Sequence, residues 1–304
     1  MKRIRALAIS LAVLTLSVVP SGVGAQEMMS KPTVRIGSTN FTEQLIVGEL
    51  YGQVLEANGY GFERRFNLGA REIVAPALES GQFDMTVEYL ATYVTSLTKD
   101  PSMASTDAGQ THSTLRAALA DRNLTVLDYA QAVDTNALVV TRETADRLGL
   151  RTTSDLAKYN GQLTLGAPPE CPGRPFCLPG FQSTYGLAFK DFKPLDVGGP
   201  LTVAALEANQ IDVALLFSSD AVIAVKGFVM LLDDKQLQLS DNVAPVVRND
   251  LLAAAPDDFS VLINRVSAML TTDELTALNK RVGVDRDDPK DVAAAWLKAK
   301  GLVL

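Results

Sequence analysis

The two cysteines of the chain are the residues whose types and spacing point most directly to a chemistry. Cys171 and Cys177 lie close together in the segment ECPGRPFC. In an oxidising compartment such a pair favours a local disulfide, which would hold a small loop. Two free thiols and a zinc site are the alternatives. The zinc site is disfavoured because the only histidine, His112, is remote in sequence and two thiols do not complete a tetrahedral site.

The single histidine also limits the enzyme chemistry that the chain can support. No Ser/His/Asp set can be assembled around it, and neither an H-E-x-x-H segment nor a Walker-type glycine-rich run is present. Paired carboxylates are not excluded, but the sequence singles out no pair. We therefore expect a protein that binds a ligand, with no catalytic residue, no cofactor and no metal.

The first residues are typical of a secretory leader. Lys2, Arg3 and Arg5 precede an apolar stretch over residues 6–19, and small residues follow. The apolar stretch is too short for a membrane span, so residues 1–25 are predicted to be a cleaved signal peptide. No cysteine stands at the predicted cleavage point to carry a lipid anchor. We expect an exported, soluble, periplasmic protein.

The charge of the chain excludes some classes of partner. The formal net charge is −7 at pH 7, and loss of the basic leader would make it more negative. An acidic protein has no electrostatic reason to bind nucleic acid or an anionic membrane. A small solute is the expected partner.

An internal repeat reveals the elements that must position the site. The segment ALESGQFDM (77–85) returns as ALEANQIDV (205–213). Each copy has helical spacing, then a turn, then the start of a strand, within a half of the chain where strands and helices alternate. This order predicts two α/β lobes, with ligands bound beyond the carboxyl ends of the strands. The repeat itself is predicted to be scaffold, and its strands end at Tyr89 and Phe217.

The aspartates of the repeat, Asp84 and Asp212, are expected to be turn residues. Asn40 is predicted to cap the first helix, with Glu43 as its capping-box partner. The predicted fold class is α/β, with two lobes of the periplasmic-binding-protein type (type II-like) joined by a two-strand hinge. The first lobe is expected to comprise residues 32–133 and 222–304, and the second lobe residues 134–221.

Several segments together carry a resemblance to a known family. They include VRIGSTNFTEQLIVGELYGQVLEANGY, NLGAREIVAPALESGQFDMTVEYLATY, ECPGRPFCLPGFQSTYGLAF and GPLTVAALEANQIDVALLFSSD. The chain resembles the substrate-binding proteins of ABC importers for quaternary amines such as glycine betaine, choline and carnitine. The resemblance implies a two-lobed fold, an ABC permease as partner, and no catalysis.

The resemblance also implies a ligand site in which aromatic rings surround a trimethylammonium group through cation–π contacts. Tyr89 matches one ring position and Thr92 a neighbouring hydroxyl. Phe217 matches a second ring position. Asn136 and Val203 stand where the family has two further rings, so the resemblance implies a depleted cage.

Carrying over the family's carboxylate-binding positions gives a similar mixture. Arg174 matches a family arginine, which suits a carboxylate because of its forked geometry. Thr39 stands where the family has a lysine, between Ser38 and Asn40, which are further candidate polar contacts. We therefore expect a monomer that binds a betaine-like compound weakly or with altered preference. The alternative is a two-lobed sensor for another small polar solute.

Overall fold

The structure is a computed structural model that describes residues 31–304. The predicted signal peptide, residues 1–25, lies outside the described residues. Among the helices of this part of the chain, none combines the length and apolar character needed to cross a bilayer.

Two five-stranded sheets confirm the predicted α/β class. The strands of the first sheet, in spatial order, are β2 (Gly61–Arg65), β1 (Thr33–Gly37), β3 (Met85–Tyr89), β10 (Val243–Arg248) and β4 (Leu124–Val126). Those of the second sheet are β7 (Asp191–Pro194), β6 (Thr164–Ala167), β8 (Val213–Phe217), β5 (Asn136–Val140) and β9 (Val229–Met230).

The two sheets have the same plan. In each sheet the first three strands in spatial order are parallel, and the fourth is antiparallel to its neighbours. The fourth strand, β10 or β5, is the first strand formed after the chain crosses from the other lobe. Parallel strands need crossover helices, which cover the sheet faces and bury their apolar side chains.

The helices cover both faces of each sheet. The helices that follow strands of the first sheet, including the C-terminal helices, are α1 (Thr42–Ala57), α2 (Arg71–Glu79), α3 (Leu90–Thr98), α4 (Ala108–Leu119), α9 (Asn249–Ala254), α10 (Asp258–Met269), α11 (Thr272–Asn279) and α12 (Pro289–Ala299). Those of the second are α5 (Arg142–Leu148), α6 (Leu178–Tyr185), α7 (Pro200–Glu207) and α8 (Val222–Val225). Each sheet is associated with two buried apolar clusters.

The repeated segment forms the same local structure in both lobes. The Asp84 amide donates to the Arg35 carbonyl at 2.8 Å, and the Asp212 amide donates to the Thr164 carbonyl at 3.0 Å. In return, Asp84 Oδ2 accepts from the Arg35 amide at 2.9 Å, and Asp212 Oδ2 accepts from the Thr164 amide at 2.8 Å. The aspartates therefore fasten the turn before β3 or β8 to the neighbouring strand, which makes the repeat scaffold.

The two aspartates provide a matched test of this scaffold. Asp84 also forms an ion pair with the Arg35 guanidinium at 2.6 Å, a contact for which Asp212 has no counterpart. We expect Asp212→Ala to lower the free energy of unfolding by about 1–2 kcal/mol and Asp84→Ala by about 2–3 kcal/mol. Urea denaturation of the two variants measures both values. Equal losses would show that the Arg35 ion pair contributes nothing.

The lobes are joined by two chain crossings that pair with each other, which confirms the two-strand hinge. Val133 and Asn242 form an antiparallel bridge. The Asp134 amide donates to the Asp241 carbonyl at 3.0 Å, and the Val243 amide donates to the Ala132 carbonyl at 3.0 Å. Two short paired segments can absorb the rotation of one lobe against the other.

The return crossing lies later in the chain than the sequence suggested. Residues 222–304 were expected in the first lobe, but β9 belongs to the second sheet. Ile223 and Phe228 are buried in a second-lobe cluster, because their apolar side chains pack against β5 and β8. We propose that the second lobe extends to about residue 232 rather than 221.

Candidate ligand-binding cleft

Three aromatic rings meet between the lobes. Tyr89 ends β3 of the first lobe, Phe217 ends β8 of the second, and Phe41 precedes α1. The Phe41 ring centroid lies 5.1 Å from that of Phe217 and 6.3 Å from that of Tyr89. All three rings line a cavity of about 330 Å³. The two repeated strands therefore deliver their last rings to one place, and Phe41 links them.

Phe41 lines the cavity but was not among the site residues predicted from the sequence. It lies in the quoted segment TNFTEQ, directly before Thr42, the first residue of α1. The residues on either side of it, Asn40 and Glu43, predicted a capping box instead. That prediction is wrong: Asn40 is exposed, the cap position is occupied by Phe41 without a side-chain hydrogen bond, and Glu43 turns inward instead. The sequence feature that could have identified Phe41 is an aromatic residue at the position where a helix beside the cleft begins.

Most of the predicted site residues line one of two adjoining cavities. Those in the ring-lined cavity are Tyr89, Thr92, Asn136, Arg174 and Phe217. Thr39 and Asn40 line a smaller cavity of about 30 Å³ beside it. Ser38 lines neither: its hydroxyl donates to the Thr39 carbonyl and accepts from the Asn67 amide. Val203, which the resemblance places at a ring position of the family, lines a different cavity.

The polar residues of the cavity wall are held by partners within the protein. The Thr92 hydroxyl and amide donate to the Asp241 carboxylate at 2.5 and 2.7 Å. The Asn136 side chain donates to the Phe176 carbonyl at 3.1 Å. Burial raises the pKa of Asp241 to about 6, although Thr92 stabilises the charged form. These groups form a polar, internally hydrogen-bonded part of the cavity wall.

The loop that carries Arg174 is closed by the predicted disulfide. Cys171 and Cys177 are bonded, with their Cα atoms 5.2 Å apart, which confirms the pairing. Phe176 of this second-lobe loop is buried in an apolar cluster of the first lobe, beside residues of α2 and α3. The loop is thus a contact between the lobes as well as part of the cavity wall.

Arg174 is paired across the cleft. Its Nη2 lies 2.9 Å from Oε2 of Glu72, which belongs to α2 of the first lobe. Burial alone would raise the pKa of Glu72, but the hydrogen bonds and charge of Arg174 outweigh it and hold this pKa below its ordinary value. The arginine that the resemblance assigns to a ligand carboxylate therefore already binds a carboxylate of the protein.

A network of buried polar groups lies directly behind the rings. Tyr89 Oη donates to Glu43 Oε1 at 2.6 Å. The Ser219 hydroxyl lies 2.6 Å from Glu43 Oε2 and 2.7 Å from Asp134 Oδ1. The Asn279 side chain donates to Glu43 Oε2 at 2.6 Å. Glu43 and Asn279 belong to the first lobe, Ser219 to the second and Asp134 to the hinge. The network therefore connects the two lobes.

The two carboxylates of this network have no cationic partner among residues 31–304. Burial raises the pKa of Glu43 despite the hydrogen bonds from Ser219, Tyr89 and Asn279. Burial also raises the pKa of Asp134, and the charge of Glu43 acts in the same direction. Asp134 also lines the ring-lined cavity. The site therefore combines three rings with a carboxyl group that has no cationic partner among residues 31–304. That combination suits an organic cation.

The two lobes, the paired hinge and the ring-lined cleft define a two-lobed solute-binding protein. The chain belongs to the family of substrate-binding domains of ABC-type glycine betaine transport systems, whose family model matches residues 32–299. This match confirms the resemblance inferred from the sequence.

Individual relatives match over nearly the whole chain. The glycine-betaine-binding protein of Pseudomonas aeruginosa is 29% identical over 294 residues, covering 93% of each chain. The glycine betaine-binding protein YehZ of Escherichia coli is 28% identical over 277 residues, covering 88% of this chain and 90% of that protein. A crystal structure of a glycine betaine/carnitine/choline ABC transporter superposes with a TM-score of 0.70 at 28% identity, covering 90% and 99% of the two chains.

Proposed function

We propose that this protein binds a quaternary ammonium compound between its lobes in the periplasm and delivers it, as a monomer and without catalysis, to an ABC permease. The observation that carries the proposal is the meeting of Phe41, Tyr89 and Phe217 beside the unpaired carboxyl group of Asp134. A trimethylammonium group has the size and charge to contact several ring faces at once, and each desolvated contact contributes about 2 kcal/mol.

The cage is depleted relative to the family pattern, because Asn136 and Val203 supply no ring. Phe41 offsets part of this loss, since its ring lies between the other two. We expect binding that is weaker than a four-ring cage would give, but still selective for the cationic group over an uncharged group of the same shape.

A ligand screen by thermal shift and calorimetry tests the proposal. The panel contains tetramethylammonium, choline, glycine betaine and carnitine, together with 3,3-dimethylbutan-1-ol, the uncharged isostere of choline. A ligand that binds only the folded state stabilises it by RT ln(1 + [L]/Kd), so weak ligands register at high concentration. Choline should raise the melting temperature and its uncharged isostere should not. A panel in which no quaternary amine binds would reject the proposal.

The Arg174–Glu72 ion pair gives a more specific prediction. Glu72→Gln frees the guanidinium, so the affinity for glycine betaine should rise severalfold relative to that for choline, which has no carboxylate. Arg174→Ala should shift the ratio in the opposite direction. Calorimetry with both ligands measures the ratio of the affinity for glycine betaine to that for choline. Any effect of a variant on lobe closure that is common to both ligands cancels in this ratio. A ratio unchanged in both variants would show that Arg174 does not meet the ligand.

A further inference from the structure

One cavity between the lobes has no part in the proposed function. Its volume is about 560 Å³, and it shares no wall residue with the ring-lined cavity or the small cavity. The second lobe contributes residues of α7 and α8 to its wall, and the first lobe contributes Thr42, Asn279 and residues 282–284. Because the wall comes from both lobes, the cavity is complete only while the lobes lie together.

Most of the wall is apolar. Five valines line it, and we call the space the valine-lined cavity: Val203, Val222, Val225, Val282 and Val284. The first three belong to the second lobe and the last two to the first lobe. A hydrocarbon group placed here would remove apolar surface of both lobes from water, which favours binding. The wall therefore suits an occupant with an apolar body.

One carboxyl group of this wall has an accessible oxygen without a partner. Asp220 Oδ2 accepts from the Phe217 amide at 2.9 Å. Oδ1 of the same group makes no hydrogen bond within residues 31–304, yet it does not belong to the unpartnered side-chain atoms that are shut off from solvent there. An occupant of the cavity can therefore reach it. Burial raises the pKa of Asp220 to about 7, and a bound ammonium group would lower this pKa and hold Asp220 charged.

The other charged residues of the wall favour an occupant with one positive charge. Lys226 pairs with Glu207 at 2.8 Å, so these two charges balance each other. Neither Asp220 nor Arg286 forms an ion pair among residues 31–304. Arg286 would repel a second ammonium group, and Asp220 would repel an anion. A primary ammonium group offers three N–H donors to Asp220, whereas a quaternary ammonium group offers none.

The valine-lined cavity lies beside residues that also shape the ring-lined cavity. Gly198 is part of its wall, and a Cβ atom on Gly198 would lie 3.1 Å from the Phe217 ring and 3.2 Å from Asp220 Oδ2. Asn279, another wall residue, donates to Glu43 Oε2 in the network behind the rings. An occupant would therefore touch groups that hold Phe217 and Glu43 in place.

We infer that the valine-lined cavity is a second binding site, for a primary amine with an apolar body. Asp220 binds the ammonium group, and the valines bind the hydrocarbon. Since such an amine contacts both lobes, it stabilises the same closed arrangement that a ligand in the ring-lined cavity needs. The two ligands therefore raise each other's affinity, which gives the protein a regulatory site in addition to its proposed function.

Calorimetry with 3-methylbutan-1-amine tests the site directly and does not depend on any quaternary amine. The uncharged isostere 3-methylbutan-1-ol has the same hydrocarbon body. It should bind at least tenfold more weakly, because it leaves Asp220 without a cationic partner. Equal affinities for the amine and the alcohol would overturn the inference.

Two variants locate the amine in the cavity. Asp220→Asn should reduce the amine affinity at least tenfold, and Ala204→Phe should abolish binding, because Ala204 is an exposed wall residue whose enlargement fills the space. The matched controls are Asp146→Asn and Ala208→Phe, since both residues are exposed second-lobe positions that do not line this cavity. If Asp220→Asn does not fold, Ala204→Phe decides the question. Amine affinity that stays at the wild-type value in a folded Ala204→Phe variant would contradict the assignment.

The coupling between the two sites has a sign that separates the possibilities. With the amine at saturating concentration, the affinity for choline should rise by about threefold to tenfold, and Ala204→Phe should remove this rise. An amine that entered the ring-lined cavity instead would compete with choline and lower its affinity, which would overturn the inference. If choline did not bind at all, the proposed function would fail, and the direct measurements with the amine would still decide whether the second site exists.

Discussion

Replacing Phe41 by alanine is expected to weaken the binding of choline by about thirtyfold or more. Phe41 contacts both other rings, so its loss removes one cation–π contact, about 2 kcal/mol when desolvated, and loosens the remaining two rings. Phe41→Leu keeps most of the apolar volume but removes the ring, and should lose most of the same affinity. Calorimetry with choline and with its uncharged isostere 3,3-dimethylbutan-1-ol measures the effect.

The control for Phe41→Ala is Phe62→Ala. Phe62 is also a partly buried ring packed against the first-lobe core, but it lines neither the ring-lined nor the small cavity. Its removal should lower the melting temperature and leave the choline affinity close to wild type. If Phe41→Leu bound choline as tightly as wild type, the ring would act only as apolar filling and the cation–π account of the cleft would be wrong.

The scaffold of this protein was accessible from sequence because its signals are local. A helix end, a turn and a strand start fit within the nine residues of each repeat, and the equivalent spacing in the two halves indicated equivalent lobes. The hydrogen bonds of Asp84 and Asp212 follow from that plan, since a turn residue before a strand lies beside the neighbouring parallel strand. The boundary near residue 222 was harder, because α8 and β9 are too short to show a periodic pattern.

The interior of the cleft could not be predicted in the same way, because its contacts join distant parts of the chain. The Ser219 hydroxyl and Glu43 are 176 residues apart, and Asn279 and Glu43 are 236 residues apart. Glu43 has the sequence context of a helix cap, and only the tertiary structure turns it toward Tyr89. The pairing of Arg174 with Glu72 likewise depends on how the disulfide loop meets the other lobe.

The buried pair of carboxyl groups behind the rings leads to a large expected effect of pH on ligand affinity. A serine hydroxyl has one proton, so Ser219 can donate to only one of Glu43 and Asp134 at a time. Its contacts with both, at 2.6 and 2.7 Å, are hydrogen bonds together only when the other carboxyl group is itself protonated. The geometry of the network therefore fits a pair of carboxyl groups that holds one proton.

The sign of the effect follows from the raised pKa values. Burial raises the pKa of both Glu43 and Asp134 in this structure, where residues of both lobes surround them. Opening the lobes would expose these groups, and their pKa would fall toward the ordinary carboxyl values of about 4. Closure around a ligand then takes up about one proton. The positive charge of an ammonium group beside Asp134 lowers the pKa of that carboxyl group and opposes part of this uptake. Affinity should therefore fall as the pH rises, by less than tenfold per pH unit, between the ordinary and the raised values.

Calorimetry with choline across pH 5–8, in buffers of different ionisation enthalpy, measures both the affinity and the number of protons taken up. Other groups near the pair titrate too: burial raises the pKa of Asp220 to about 7, and the pKa of Tyr89 is raised well above 10, outside this range. Asp134→Asn removes the shared proton and leaves these groups in place. The difference between its pH slope and that of wild type therefore isolates the pair.

Asp134→Asn should bind choline with a markedly flatter pH dependence, and Glu43→Gln should do the same if the first variant folds poorly. Asp220→Asn is the matched control, since Asp220 is a partly buried acid that accepts from the Phe217 amide and is not hydrogen-bonded to Ser219 Oγ. Asp220→Asn should remove its own part of the slope and, because its charge raises the pKa of Asp134, a smaller part of the slope of the pair. Identical slopes in wild type and Asp134→Asn would show that both carboxyl groups keep one protonation state during closure. In that case the network behind the rings would serve only to orient Tyr89.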